Sequence, residues 1–422
     1  MYNQSYDYQF ETDNNQQRNF ILFWIGFSVY VTFQVFNSLD LLNLKICLAL
    51  QFLGIAALII AGLNIAILRI RNSYLSILFI LYFGWVLITV LRDLGGIANY
   101  ASIKDFLFSP YGSGGLLYFV PLAIFLPRNA IFLKKTFDAI IILGIVYLFF
   151  NVLLIKSLLV AGADSYSQEM FETLSALSLP CGFILCTYSY HSRLRNFFAL
   201  GVIVLTLLFA LIRARRGLLL FCSEILILAY MIYFFHSKKK YFLIYFSILL
   251  ISLGILYESN LYHIDENRIL GFISERGVDD SRTGIELYFY DDMKTKDWII
   301  GKGILGRYFC PNVEENQITN FRNVIETGYL QIILKGGLVS LILLLLIAIP
   351  ALIMGIFFSK NILAKACGAW ILIFIACLYP RDVVKFDLNY ILVWISIGVC
   401  YNKTLRNLPE TYILEYLKKE KD

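Results

Sequence analysis

The chain has 422 residues, of which 59% are hydrophobic and only 16% charged, against about 45–50% and about 25% in soluble domains. That balance excludes an ordinary soluble domain, a disordered chain and a collagen-like fibre. Aromatics reach 16%, with 35 Phe and 28 Tyr, as lipid-facing helices with interfacial belts require, and the net charge of +6 is read by location rather than by total.

The first 18 residues are polar and net negative. No cleavable signal peptide precedes the first apolar run, so the first span is expected to be its own insertion signal. A bilayer core needs about 20 apolar residues per helix. Twelve candidates follow, at 19–36, 46–68, 75–91, 115–127, 137–155, 171–190, 197–212, 217–235, 241–257, 328–357, 362–380 and 387–401. The fourth is short and flanked by Gly and Pro. The expected fold is an all-α polytopic membrane protein of about twelve transmembrane helices, with one large periplasmic loop between helices 9 and 10. Residues 1–258 would hold helices 1–9, 259–327 the loop, and 328–422 helices 10–12 with a tail.

Orientation is read from the cations in the connections, because cytoplasmic loops retain Lys and Arg during insertion. One alternating set carries Arg69 and Arg71, then Arg128, Lys134 and Lys135, then Arg193 and Arg195, the run Lys238 to Lys240, Lys360 and Lys365, and the basic tail. This set is expected to be cytoplasmic, with both termini. The loop 259–327 then lies outside, and a loop of that length in a compact protein is usually functional. Its mixture of a helical stretch (SRTGIELYFYDDMKT) with Gly-rich turns (GKGILGRYF) suggests a folded cap over a membrane site.

Arg213, Arg215 and Arg216 stand before Gly217, at an outer junction that breaks the cation pattern. Each arginine costs about 2.5–3.5 kcal/mol at the membrane centre. Arg213 and Arg216, three apart, can share a helix face. A lipid-linked phosphate or diphosphate suits their planar forks; snorkelling to headgroups or pairing with loop carboxylates is the plainer reading. Glu326, where the loop enters the tenth helix, can be a general base or a helix N-terminal acid favoured by the macrodipole. Lys335 is an ionisable residue inside an apolar run and so a site candidate. Glu224 is either a partner of Arg216 or a structural counter-ion. Arg276 and Arg282 either pair with Asp279 and Asp280 or deliver a guanidinium to a phosphate, and Asp291 with Asp292 reads as a solvated helix face. The eight Cys, mostly in apolar runs without C-x-x-C, indicate neither a disulfide framework nor a zinc site, and His191, His236 and His263 are unclustered.

Together these features resemble the bacterial O-antigen polymerase and O-antigen ligase superfamily, integral-membrane enzymes that act on undecaprenyl-diphosphate-linked glycans. The likeness covers most of the chain as topology and is sharper in three places. Arg213 to Gly217 looks like that family's Arg-x-x-x-Gly element. Ser281-Arg282, then Trp298 and GKGILGRY, is similar to its long-loop pattern, and GYLQIILKGGLVSL matches the block entering the tenth helix. In the ligases that block begins with His-Asn, where this chain has Glu326-Thr327.

The resemblance implies an inverting, metal-independent glycosyltransferase without cofactor. Glu326 and Arg282 would be catalytic, and Arg213, Arg215, Arg216, Arg276 and Lys335 would bind the diphosphate. Polymerisation is favoured over ligation because the family histidine is replaced. The implied location is the bacterial inner membrane. The implied partners are the undecaprenyl-diphosphate-linked oligosaccharide, membrane lipid and a chain-length regulator protein, with no nucleic acid. A flippase or transporter of the same glycan is the alternative from another class, against which stand the single long loop and the absence of visible repeats.

Overall fold

Among the described residues, seven helices are long and apolar enough to cross a membrane: α1 (Asn14–Ser38), α2 (Leu44–Ile65), α3 (Ser73–Asp93), α6 (Ala130–Leu153), α9 (Arg193–Ile212), α10 (Arg216–His236) and α13 (Gly328–Phe357). The computed structural model describes residues 14–110, 112–156, 165–212, 215–237, 281–311 and 320–418. Shorter helices are α4 (Tyr100–Phe108), α5 (Gly115–Phe119), α7 (Ser165–Ser178), α8 (Cys181–Cys186), α11 (Ser281–Asp292), α12 (Thr295–Ile300), α14 (Ile362–Cys377), α15 (Leu388–Tyr401), α16 (Lys403–Asn407) and α17 (Glu410–Lys418). The two strands, β1 (Tyr308–Phe309) and β2 (Phe321–Arg322), pair antiparallel with Tyr308 opposite Arg322. The chain is thus mostly helical and membrane-embedded.

Six of the twelve expected spans coincide with long helices through most of their length, and the tenth does so with a kink. Four others are shorter or broken. The fourth is α5 followed by a 3-10 turn, Val120–Phe125; at about 1.5 Å per residue this cannot cross a core about 30 Å thick. The sixth is cut between α7 and α8 because Pro180 has no N–H to continue the ladder and clashes with the preceding turn. The eleventh and twelfth have 16 and 14 helical residues. The ninth, 241–257, lies outside the described residues.

Close packing rather than length organises the bundle. The α1 and α2 backbones meet at Gly26 and Gly54, where an added Cβ on either would lie 2.7 Å from the carbonyl oxygen of the other. In lipid, helix association depends on van der Waals fit, so small residues at crossings let backbones approach. Helix α15 is buried around its whole circumference, which explains why it is apolar on every face. Its Trp394 stacks on Tyr82 of α3 at 5.5 Å.

Helix α13 contains two breaks, and both are compensated. Pro350 removes the N–H that would bond to Leu346, and the Tyr74 hydroxyl donates to that carbonyl at 3.0 Å. At Gly337 the backbone leaves the helix, with φ 70° and ψ −178°. A membrane tolerates such a break only where neighbouring groups satisfy the freed carbonyls, and the partners come from α3 and from the loop described next.

Candidate functional site

The expected cap is folded in its described part. Phe289, Met293, Tyr308, Cys310 and Ile325 form one small core with Leu330, Ile333 and Leu334 of α13, so α11, α12 and the hairpin sit on the first turns of that helix. The Gly-Lys-Gly turn, Gly301 to Gly303, closes the seam. The Lys302 N–H donates to the Leu334 carbonyl at 2.7 Å and the Gly303 N–H to Lys335 at 2.9 Å. The Trp85 indole donates to Gly336 at 2.8 Å. These are carbonyls stripped of helical partners by the break at Gly337. Gly301 and Gly303 have φ of 70° and 86°, a region L side chains rarely occupy. From α3, the Arg92 guanidinium donates to the carbonyls of Ile300 and Gly301, each at 3.1 Å. The neighbouring Asp93 accepts the Leu305 N–H at 2.8 Å. The sequence block GKGILGRY therefore has a physical role: it clamps the cap to a broken helix.

Lys335, expected as a diphosphate ligand, belongs to this clamp. Its ammonium is buried and donates to the carbonyls of Ile304 at 3.0 Å and Gly306 at 2.9 Å. Asp292, expected on a solvated face, forms an ion pair with Lys302.

Beside the clamp, two chain entries converge on one turn between α14 and α15. A Cβ on Gly217, just after the arginine run, would lie 2.9 Å from the Pro380 carbonyl oxygen. A Cβ on Gly328, just after Glu326-Thr327, would lie 2.7 Å from the Arg381 carbonyl oxygen. The Tyr329 N–H donates to Leu378 on the same turn at 3.1 Å. The starts of α10 and α13 are thus neighbours, though far apart in sequence.

Within that setting the expected residues divide. Arg216 and Glu326 are exposed. Arg215 is half-buried and paired with Glu172 of α7 at 3.0 Å, so its charge is met within the protein. Arg213 and Arg276 lie outside the described residues; Arg282 is in the first turn of α11 with its side chain outside them. The Thr327 hydroxyl donates to the Glu286 carboxylate of α11. Glu224 does not pair with Arg216; it accepts from the Cys377 thiol at 3.3 Å.

Sequence reasoning missed Arg381, Asp382 and Glu286. The guanidinium carbon of Arg381 lies 5.7 Å from the centre of the Phe221 ring, a cation–π position. Asp382 is 6% exposed, and burial raises its carboxyl above the usual range, against the opposing pull of Lys385, Arg381 and Lys335. A raised folded value means the folded state binds this proton more tightly, so the stability it contributes is complete below about 3.8 and is lost as pH rises through the folded value. Asp382→Asn should therefore remove part of the decline in thermal stability with rising pH, and an unchanged pH profile would refute the assignment. The signal in the sequence was the charged pair directly after Pro380 between two apolar runs.

Aromatic faces surround this mouth. Tyr379, 75% exposed, stacks on Tyr329 at 6.4 Å and 4°, and Tyr290 stacks on Trp298 at 5.9 Å. No family model, curated protein or solved structure matches the chain.

Proposed function

We propose that this chain is a surface-polysaccharide polymerase that moves a glycan from an undecaprenyl-diphosphate-linked repeat unit to an acceptor sugar hydroxyl. The observation that carries the reading is the meeting of the Arg216-Gly217 and Glu326-Thr327-Gly328 entries on one turn, beside a folded cap. A carboxylate and an arginine so placed can serve the two ends of a glycosyl transfer. The acceptor hydroxyl oxygen bonds to the anomeric carbon with inversion while the bond to the diphosphate oxygen breaks. Glu326 takes the hydroxyl proton, and the leaving diphosphate keeps the electron pair. Arg213, Arg216, Arg276 and Arg282 meet the charge as it develops, where fixed donors in a dry site act more strongly than in water. Arg215 and Lys335 hold structure instead. The exposed tyrosines offer flat faces to pyranose rings.

In this proposal the protein lies in the inner membrane with both termini cytoplasmic, needs no metal, and works with membrane lipid and a chain-length regulator protein. Purified protein given a lipid-linked repeat unit should make longer chains; binding without extension would refute the activity.

Two further results are expected. A single cysteine at Ser281 should react with a membrane-impermeant reagent in cells whose outer membrane is permeabilised, because the alternating cations place this loop outside. Protection there with labelling at Ser237 would reverse the topology. Replacing both Arg213 and Arg216 by alanine in a deletion strain should abolish long polymer. Lysine at both should also impair turnover, since it keeps the charge but loses the bidentate fork. Unchanged polymer length and amount in the alanine variant would end the clamp idea.

A further inference from the structure

The start of α13 departs from ordinary helix capping. Thr327 stands where a threonine oxygen usually accepts an N–H of the first helical turn, yet it makes no such bond, and its hydroxyl donates to Glu286 of α11 instead. One turn further on, Gln331 is a polar side chain only 3% exposed, at a place where an apolar residue would cost less. Its amide reaches back out of the helix. Oε1 accepts the Ile325 N–H at 2.9 Å, while the Gln331 backbone N–H donates to the Thr327 carbonyl at 3.0 Å. Among the described residues Nε2 has no hydrogen-bond partner. The bond to Ile325 is therefore what this buried amide supplies.

These bonds bracket one residue. Ile325 lies in the small core of the cap, Thr327 is buried, and Gly328 is pressed against the Arg381 carbonyl. Glu326, between them, is exposed. A main chain tied on both sides of an exposed carboxylate limits where that carboxylate can stand, and a misplacement of about 1 Å at a reacting group can cost about 10²-fold in rate. Reach and chemistry both select glutamine for the tie. Asparagine is one methylene short of the Ile325 N–H, and an apolar side chain offers no oxygen to it.

We propose that Gln331 is a positioning residue for Glu326: by holding the Ile325 N–H it fixes the main chain that presents the carboxylate to the acceptor hydroxyl. The inference rests on the polymerase reading and adds to it a residue that touches neither substrate. A buried amide that only ties the loop to α13 is the alternative the test must separate.

The test is a double-mutant cycle of extension rates, with the full chain in detergent and a lipid-linked repeat unit as donor. Gln331→Asn withdraws the oxygen from Ile325 and should lower kcat by about 10–10²-fold, with the donor KM little changed because the diphosphate is held by other residues. Gln331→Met, similar in length but without the oxygen, should do the same, and it replaces the asparagine variant if that one does not fold. Gln331→Glu returns an oxygen to the Ile325 N–H and should recover most of the loss. In a Glu326→Gln background, Gln331→Asn should slow the residual rate by less than about threefold, because a residue that acts through another then has nothing left to position. An amide needed only for folding would lower both rates by the same factor. Losses that multiply in the double variant, or wild-type rates in the Gln331 variants beside a slow Glu326→Gln, overturn the inference and leave the polymerase reading standing. A wild type that extends nothing, or Glu326→Gln at the wild-type rate, defeats that reading and the inference with it.

Discussion

Glu326→Gln is expected to slow chain extension by about 10²–10⁴-fold at matched membrane abundance, the usual loss when a general base is removed. Glutamine keeps the size and hydrogen-bonding capacity of the side chain but cannot take the acceptor proton. A carboxylate acting only on the macrodipole at the start of α13 would contribute under about 1 kcal/mol to stability, with little effect on rate. Those magnitudes separate the two roles. Glu326 is exposed, so glutamine should not disturb the packed turn beneath it, and the variant should insert normally and still bind the lipid-linked donor. Near-normal extension would return Glu326 to helix capping. Glu286, joined to Thr327, would then be the next carboxylate to replace.

Gly337→Ala should destabilise the protein by about 2–6 kcal/mol, combining a backbone region that is nearly glycine-only with a forced overlap. The Cβ would run into the carbonyl of Ile299, at the end of the helix that leads into the Gly-Lys-Gly turn. Relief requires the cap to lift or α13 to straighten. Either movement undoes the bonds from Lys302 and Gly303 to the freed carbonyls. Gly84→Ala in α3 is the control, since a Cβ there meets nothing within 4 Å and alanine adds up to about 1 kcal/mol of helix preference. The measurement is the midpoint of thermal unfolding in detergent, with proteolysis of the loop as a second readout. Equal midpoints for the two variants would show that the break in α13 does not hold the cap.

The apolar runs were legible without coordinates because hydropathy is a local sum: about 20 apolar residues leave the chain no cheaper place than lipid. That reasoning located α1, α2, α3, α6, α9, α10 and α13. It does not separate a span from a short helix surrounded by protein, such as α15, because burial among helices and burial in lipid select the same residues. Pro121 and Pro180 lie inside two of the expected spans, and only the structure showed where the regular helix ends beside them. The arginine run and Glu326 were conspicuous because charge beside an apolar run is rare. Their meeting was not, since it depends on Gly217 and Gly328 fitting against one distant turn. The roles of Arg215 and Lys335 also waited for tertiary structure. An isolated cation in a sequence has no partner, and only the fold supplies Glu172 to one and two loop carbonyls to the other. Composition by itself determined that this chain enters a membrane as helices, because desolvation is additive along the sequence. The tertiary structure decided which charges are spent on architecture and which stay exposed, because hydrogen bonds and ion pairs are made between residues that the sequence keeps far apart.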